Sequence, residues 1–540
     1  MKLLGVTAAA LALGASSASA ATTLVVSGKG WGHGVGMSQW GAYGYASHGW
    51  SWRRILAHYY PGTEVGVAPR SRVRVLLARG QVQVRVGCAG AIRVSDATGR
   101  GHALLPSTYG FGRGLRLPIG RKRVKVAGGQ GHDERFAAVP ALRPLRSPLV
   151  FDCPTAPLIW NGRAYHGLLV VRRVGQRLTI VNSLPLDQYV RGVVAGEMPY
   201  RWSLAALQAQ AVAARSYALA TLHPHKHFDL YPDTRSQVYG GIAYETPRTN
   251  AAVDGTAGRV LLWRGRVATT YFFSTSGGRT ADVSEVWPSL GNVPYLRSVD
   301  DPYDVRSPHH RWGPITYDAA RVAKRLGVPL GDMTLVRSAS GRVTAVQIGA
   351  RRIDADEFRN ALKLASTWFD VGELSLARSR SQISYGGRVE LSARVAGLPR
   401  AALQRRIGAG EWKTLKLVNG TAEVTVEPRA QTLYRLSSRF ANGAVVGVAV
   451  APVLEVKAAG VELLTGSVAP RSTGAVSVWR RIPEGWKVVA RPNLDSDGRF
   501  STPLRLHRGE YRITVGGDGR YAAVSKLMRV TPRLLASLSH

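Results

Sequence analysis

The sequence predicts an α+β domain with mixed β-sheets and a few helices, followed by two all-β, immunoglobulin-like sandwiches. Three observations carry this reading. Helical periodicity is confined to a few segments before Val371. Alternating apolar and polar runs punctuated by glycine dominate the rest, as half-buried strands do. After Val371 only such runs recur, at short spacing, in two similar halves.

Residues 1–20 carry Lys2, an apolar run from Leu3 to Ala15, and small residues at Ala18-Ser19-Ala20. This is the pattern of a secretory signal peptide cleaved after Ala20, and the apolar run is short for a membrane span. The domain expected next covers residues 21–371. Its first part, 24–66, holds the glycine-rich run GWGHGVGMSQWGA and then Ile55, Leu56, Tyr59 and Tyr60 at helical spacing, stopped by Pro61-Gly62. Residues 70–180 are β-rich. LPLDQYVRGVVAGEM then reads as a helix ended by Pro199, and SLAALQAQAVAARSYALATL as a second, with Ser203 at its N-cap. Residues 256–300 return to strands, and 316–371 look α+β. The sandwiches are expected over 372–455 and 456–535. Each half has a Gly-Trp-Lys-like strand and a later Tyr-Arg strand, a weak repeat of about 80 residues. Trp412 and Trp486 there read as core anchors or as sugar platforms.

Composition narrows the function. The chain has 540 residues, long enough for roughly three to four domains, and a formal net charge of +38. Hydrophobic residues make up 45% and charged ones only 20%, so this is not a disordered polycation. Such a surface attracts polyanions: nucleic acid, anionic lipid or an acidic cell wall. Export makes nucleic acid an unsuitable partner, and no zinc-finger or P-loop spacing argues for it. The chain is expected to be secreted, extracellular or associated with the cell wall, with no transmembrane segment in the mature form. Only Cys88 and Cys153 are present. In an oxidising compartment they are expected to form a disulfide, and two cysteines cannot build a zinc site alone.

Several residues could carry chemistry. Glu197 closes an apolar helix beside Val193, Val194 and Met198, just before Pro199. Desolvation there raises a carboxyl pKa and suits it to general-acid work, while an acid at a helix C-terminus opposes the macrodipole. Gln208, Gln210 and Arg215 lie among the alanines of the second helix and read first as solvated polar positions. DTRSQVYGG (233–241) and STSGG (274–278) are polar loops whose hydroxyls and amides suit sugars. His33, set among four glycines, offers acid–base, metal-ligand or sugar-donor chemistry, with Ser38 and Gln39 just after it.

Taken together, NSLPLDQYVRGVVAGEMP, ALQAQAVAARSYAL, DTRSQVYGG, STSGG, PYLRSVDDPYD and SGRVTAV with FRNALKLASTWF resemble the stage II sporulation protein D (SpoIID)/LytB family, in that family's order. GHGVGMSQWGA with HYYPGT is also similar to a family signature, but here it precedes the other motifs, as in a circular permutation. Residues 24–66 should then pack near residues 360–371. The resemblance implies a SpoIID-like catalytic domain and lytic transglycosylase activity on peptidoglycan strands, above all strands stripped of stem peptides. The family's essential acid matches Glu197, with Arg215, Gln237, Tyr239, Ser276, His33 and Gln39 as glycan binders or orienters. Asp233 is the candidate second carboxylate, whose presence opposite Glu197 would favour simple hydrolysis. The zinc-binding Cys/His cluster of some members is absent, so no metal or other cofactor is expected. A second reading is a non-catalytic wall-binding protein that modulates a cell-wall amidase, a role attached to the LytB branch. Oligomeric state is not legible.

Overall fold

The computed structural model describes residues 20–99, 101–104, 106–111, 122–125, 134–137, 146–223 and 227–538. The expected signal peptide lies outside them, except for Ala20. The architecture is mixed α+β, with many sheets and few helices, and a β-rich C-terminal region. Among the described residues, no helix is long and apolar enough to cross a membrane.

Two sheets and four helices form much of the first core, which the helix Pro247–Asp254 and the strand Arg259–Trp263 also enter. One sheet orders the strands Arg72–Gln81, Arg177–Pro185, Leu168–Val174, Leu149–Asp152, Ile92–Ser95 and Gly101–Leu104. The other joins Arg163–Tyr165, Leu158–Trp160, Val84–Cys88 and Ser107–Phe111. Cys88 and Cys153 are bonded across this region, with Cα atoms 6.6 Å apart. The helices are α1 (Gln39–Ser47), α2 (Trp52–Tyr59), α3 (Leu186–Glu197) and α4 (Leu204–Ala220). α4 lies at the centre and touches the other three. Its sequence explains this: alanines run around the whole circumference, and a helix apolar on all sides is an interior helix. Ala206, Leu207, Ala209, Ala211, Val212, Ala213 and Ala214 are all fully buried. Ser203 occupies the N-cap with extended backbone, but its hydroxyl makes no capping bond; the Ser203 carbonyl accepts from Ala206 and Leu207 instead.

The N-terminal strand Ala21–Lys29 ties the molecule together. It lies between strands Arg311–Asp318 and Phe369–Arg378, antiparallel to both. Its period-2 alternation is apolar on both faces. Leu24 and Val26 enter a core formed with Val322, Val346, Phe358 and Phe369. Val25 points the other way, into a core with Leu374, Leu376, Leu391 and Leu436. Past this strand, the Lys29 N–H donates to the Trp368 carbonyl (2.9 Å), the Gly32 N–H to that of Ala365 (3.1 Å), and the Ser366 hydroxyl to the Lys29 carbonyl (2.6 Å). The glycine-rich segment thus packs against residues 365–369, where a permuted order requires it.

The boundary expected at Val371 is not a linker. Strand Phe369–Arg378 runs through it and continues the same sheet into Val389–Ala396 and Gly420–Val426. A second sheet, from Gln382–Ser384 to Lys413–Val418, faces this one across the core that holds Val25. Residues 453–530 make two further sheets around Leu464, Val478, Phe500 and Ile513. Contrary to the all-β expectation, a short helix, Pro532–Leu538, ends the chain and packs on this core.

Candidate active site around Glu197

α3 ends where the sequence demands it. Met198 is extended (φ −129°, ψ 142°), as a residue before proline must be, and this turns the chain out of the helix directly after Glu197. Glu197 is half-buried. It accepts a hydrogen bond from Gln39 Nε2 at 3.2 Å and another from the Val238 backbone. Desolvation outweighs these two bonds and pushes its pKa above the ordinary carboxylate range. No cation and no second carboxylate contributes to that shift. A carboxyl group that holds its proton more tightly than usual and still reaches solvent is suited to pass that proton to a leaving group.

Gln39 is delivered by the glycine-rich segment. Gly30, Gly32, Gly34 and Gly36 all have positive φ (75°, 108°, 87° and 77°), a conformation that excludes most other residues. The chain leaves them through Met37-Ser38, which pairs in parallel with Phe272-Phe273. Ser38 then caps α1 by accepting from the Gly41 N–H, and Gln39 starts the helix facing Glu197. The Trp40 N–H donates to the Ser274 carbonyl at 3.0 Å, which brings the start of the STSGG loop beside the same helix end.

His33 has a different task from the one expected of it. The Val35 N–H donates to its Nδ1 at 3.0 Å, so the proton sits on Nε2, which donates to the Phe272 carbonyl at 3.0 Å. Both ring nitrogens are consumed by backbone, and burial pushes the pKa down to about 4. His33 is a neutral brace between the glycine-rich segment and strand Phe272-Phe273, neither an acid–base group nor a sugar donor.

Four more expected site residues are structural. Arg215 is fully buried. It pairs with Asp187 at the opposite end of α3 from Glu197 (Nη2 to Oδ1, 2.6 Å) and donates to the Arg259 carbonyl at 2.9 Å. Gln237 is buried and donates to the Ala214 carbonyl at 3.1 Å. Tyr239 is buried, its hydroxyl donating to Asn182 Oδ1 at 2.7 Å. Ser276 is fully buried and donates to Asp304 Oδ2 at 2.9 Å. Asp304 also accepts from the Gly277 N–H and meets His310 Nδ1 at 2.6 Å. Beside it, buried Asp301 accepts from the Tyr59 hydroxyl at 2.9 Å, and burial next to Asp304 raises its pKa to about 7. This network fastens the STSGG loop to α1 and α2. Asp233 is half-exposed and bonded by Nε and Nη2 of Arg235, which lowers its pKa; it is not among the groups that shift Glu197. Among the described residues, no group of three or more His, Cys, Asp or Glu side chains could hold a metal ion.

One neighbour of Glu197 escaped the sequence reading. The ring of Tyr244 lies against Gly196 and Gly240. The only sequence trace of it is the glycine doublet in GGIAY.

Residues 174–263 match the family described as Stage II sporulation protein, SpoIID. Stage II sporulation protein D of Bacillus subtilis (strain 168) is 32% identical over 212 residues, 35% of this chain and 61% of the relative. The amidase enhancer of the same organism is 43% identical over 116 residues, 21% of this chain and 15% of that protein. A Brachyspira hyodysenteriae protein described as uncharacterized is 36% identical over 142 residues, 26% of this chain and 38% of its own. The chain therefore spans less than two thirds of each of these relatives. The matched stretch runs from the end of strand Leu168–Val174 through α3 and α4, the frame that presents Glu197, and residues 174–263 are thereby a SpoIID-family domain.

Proposed function

We propose that the chain is a peptidoglycan lytic transglycosylase. The observation that carries this reading is a desolvated carboxyl group, Glu197, held by Gln39 and the Val238 backbone, with no carboxylate among the described groups that shift its pKa. Hydrolysis of a glycosidic bond ordinarily needs two carboxyl groups at a set separation. One is enough for an intramolecular displacement. The protonated Glu197 gives its proton to the glycosidic oxygen between N-acetylmuramic acid and N-acetylglucosamine. The resulting carboxylate then takes the proton of the muramoyl C6 hydroxyl. That oxygen bonds to C1 as the glycosidic bond breaks, leaving a 1,6-anhydro end and a free C4 hydroxyl, with no water consumed. Gln39 orients the carboxyl group: its amide N–H bonds the ionised form and restrains it as the proton leaves.

The protein acts outside the cell or at the wall, where a chain of net charge +38 is attracted to wall anions. The sheets after Val371 are read as two immunoglobulin-like sandwiches that hold the catalytic domain there. The likeness to an amidase enhancer supports a second reading, a wall-binding protein that modulates an amidase. Incubation of the purified protein with peptide-free glycan strands separates them. The first reading expects 1,6-anhydromuramoyl ends, lost by about 10²–10⁴-fold in Glu197→Gln, the usual worth of general acid–base help, with glycan binding retained. Stimulation of an added amidase without new anhydro ends would establish the second.

A further inference from the structure

Gly196 directly precedes Glu197, and Gly240 meets the same helix turn, its N–H donating to the Gly192 carbonyl at 3.1 Å. Gly240 has an ordinary φ of −96°, and Gly196 is helical, so neither backbone position requires glycine. What requires it is a side chain. A methyl group at Gly196 would lie 2.8 Å from two ring carbons of Tyr244, and one at Gly240 would collide with three. The two glycines form a bare shelf of backbone, and the Tyr244 ring lies on it. The residue is nevertheless 37% exposed, where most aromatic side chains of the domain are buried or half-buried. One side of the ring lies against the turn that carries Glu197, and the residue keeps about a third of its surface in solvent.

A flat, immobile, half-exposed ring beside a general acid matches one class of ligand. The C–H groups of a pyranose unit make an apolar face that packs on an aromatic ring, while its hydroxyl and acetamido groups stay in water or bond to polar neighbours. We propose that Tyr244 is a stacking platform for a sugar ring of the glycan, seating the unit adjacent to the bond on which Glu197 acts. This rests on the glycan reading above and adds a binding residue to it. Tyr244 is a positioning residue: it fixes the strand so that the scissile oxygen meets the carboxyl group, and it moves no proton.

The test uses the full chain carrying Glu197→Gln, so that binding is read without cleavage, and soluble peptide-free glycan strands as the probe. Adding Tyr244→Ala is expected to weaken binding roughly tenfold, the scale of one lost ring contact. Tyr244→Phe and Tyr244→Trp should stay within about twofold, because the ring and not the hydroxyl makes the contact. Gly240→Ala should weaken binding as much as Tyr244→Ala, since its methyl group evicts the ring while leaving the tyrosine in place. In the cleaving background, Tyr244→Ala should raise KM with little change in kcat, and melting temperatures show that each variant is folded. If the chain carrying only Glu197→Gln binds no glycan, both this inference and the glycan reading fall. If it binds and Tyr244→Ala binds equally well, the platform alone falls. Should Gly240→Ala not fold, the Tyr244 series decides.

Discussion

Asp187→Asn tests whether Arg215 belongs to the site or to the scaffold. Arg215 has no exposed side-chain surface, and one Asp187 oxygen accepts from Nε (2.8 Å) and lies 2.6 Å from Nη2 in an ion pair. Burial lowers the Arg215 pKa and Asp187 draws it back up. The asparagine keeps the shape but removes the neutralising charge, which leaves a buried cation without its counter-ion. Breaking a buried pair in this way costs about 3–5 kcal/mol. The Asp187 side chain is 37% exposed, so water repays part of the loss, and we expect the low end, about 3 kcal/mol. Native-state hydrogen exchange of the central α4 amides reads this domain without the C-terminal sheets. The expected result is roughly hundredfold faster exchange, since each tenfold corresponds to about 1.4 kcal/mol. Cleavage per folded molecule should be unchanged, because ten helical residues, about 15 Å, separate Asp187 from Glu197. Unchanged α4 exchange, or a several-fold rise in KM, would return Arg215 to the binding site.

Two further outcomes follow from the same geometry. Glu197 has a raised pKa in the folded chain, so folding favours its protonated form; the stability this brings is full below the ordinary carboxyl value and is lost as pH rises through the folded one. Glu197→Gln should therefore melt higher than the parent at pH 7 and level with it near pH 4, and an equal gain at both would refute the desolvated-acid reading. A chain stopped after Val371 loses most of one of the two partners of strand Ala21–Lys29 and uncovers Val25, which is 3% exposed; burying a valine is worth about 2 kcal/mol. That chain should aggregate or lose at least several degrees of melting temperature, whereas one stopped after Ala451 should remain monodisperse in size-exclusion chromatography.

The legible parts of this protein are those whose signal is local. Glu197 shows itself because an apolar helix, an acid and a proline follow one another in eight residues, and the helix end is where the carboxylate emerges. Gln39 is visible only through its motif, since the bond to Glu197 spans 158 positions. Arg215, Gln237, Tyr239 and Ser276 share a polar or hydroxyl-bearing character with sugar-binding residues, but residue type does not report depth. The alanines around Arg215 do, because they make α4 apolar on every side and so place its one arginine in the interior. His33 misleads for a related reason: glycines bring its ring close to backbone groups that take both nitrogens. Tyr244 is silent in the sequence, because its position follows from two glycines 44 residues apart that meet only in the folded chain.

The strand Ala21–Lys29 shows why the domain boundary was illegible as well. A boundary is sought where few contacts cross, yet here one sheet crosses it, with register from Ala21↔Leu376 to Gly28↔Phe369. The alternation Leu24, Val25, Val26 was visible, but that its two faces serve two cores is a consequence of partners about 350 residues away. The arrangement has a mechanical result for the site. The same strand that is clamped between those cores runs directly into the glycine-rich segment, whose end sets Gln39 against Glu197. A segment of four left-handed glycines is the part of this domain with the most conformational freedom to lose. Holding its start in the middle of a sheet and its end by the Ser38 cap and the Asp301–Tyr59 network leaves it little freedom to relinquish when the site is used. The glycine-rich segment is thus held rigidly at the site from the front of the chain: strand pairing at Phe369–Leu376 fixes where it begins.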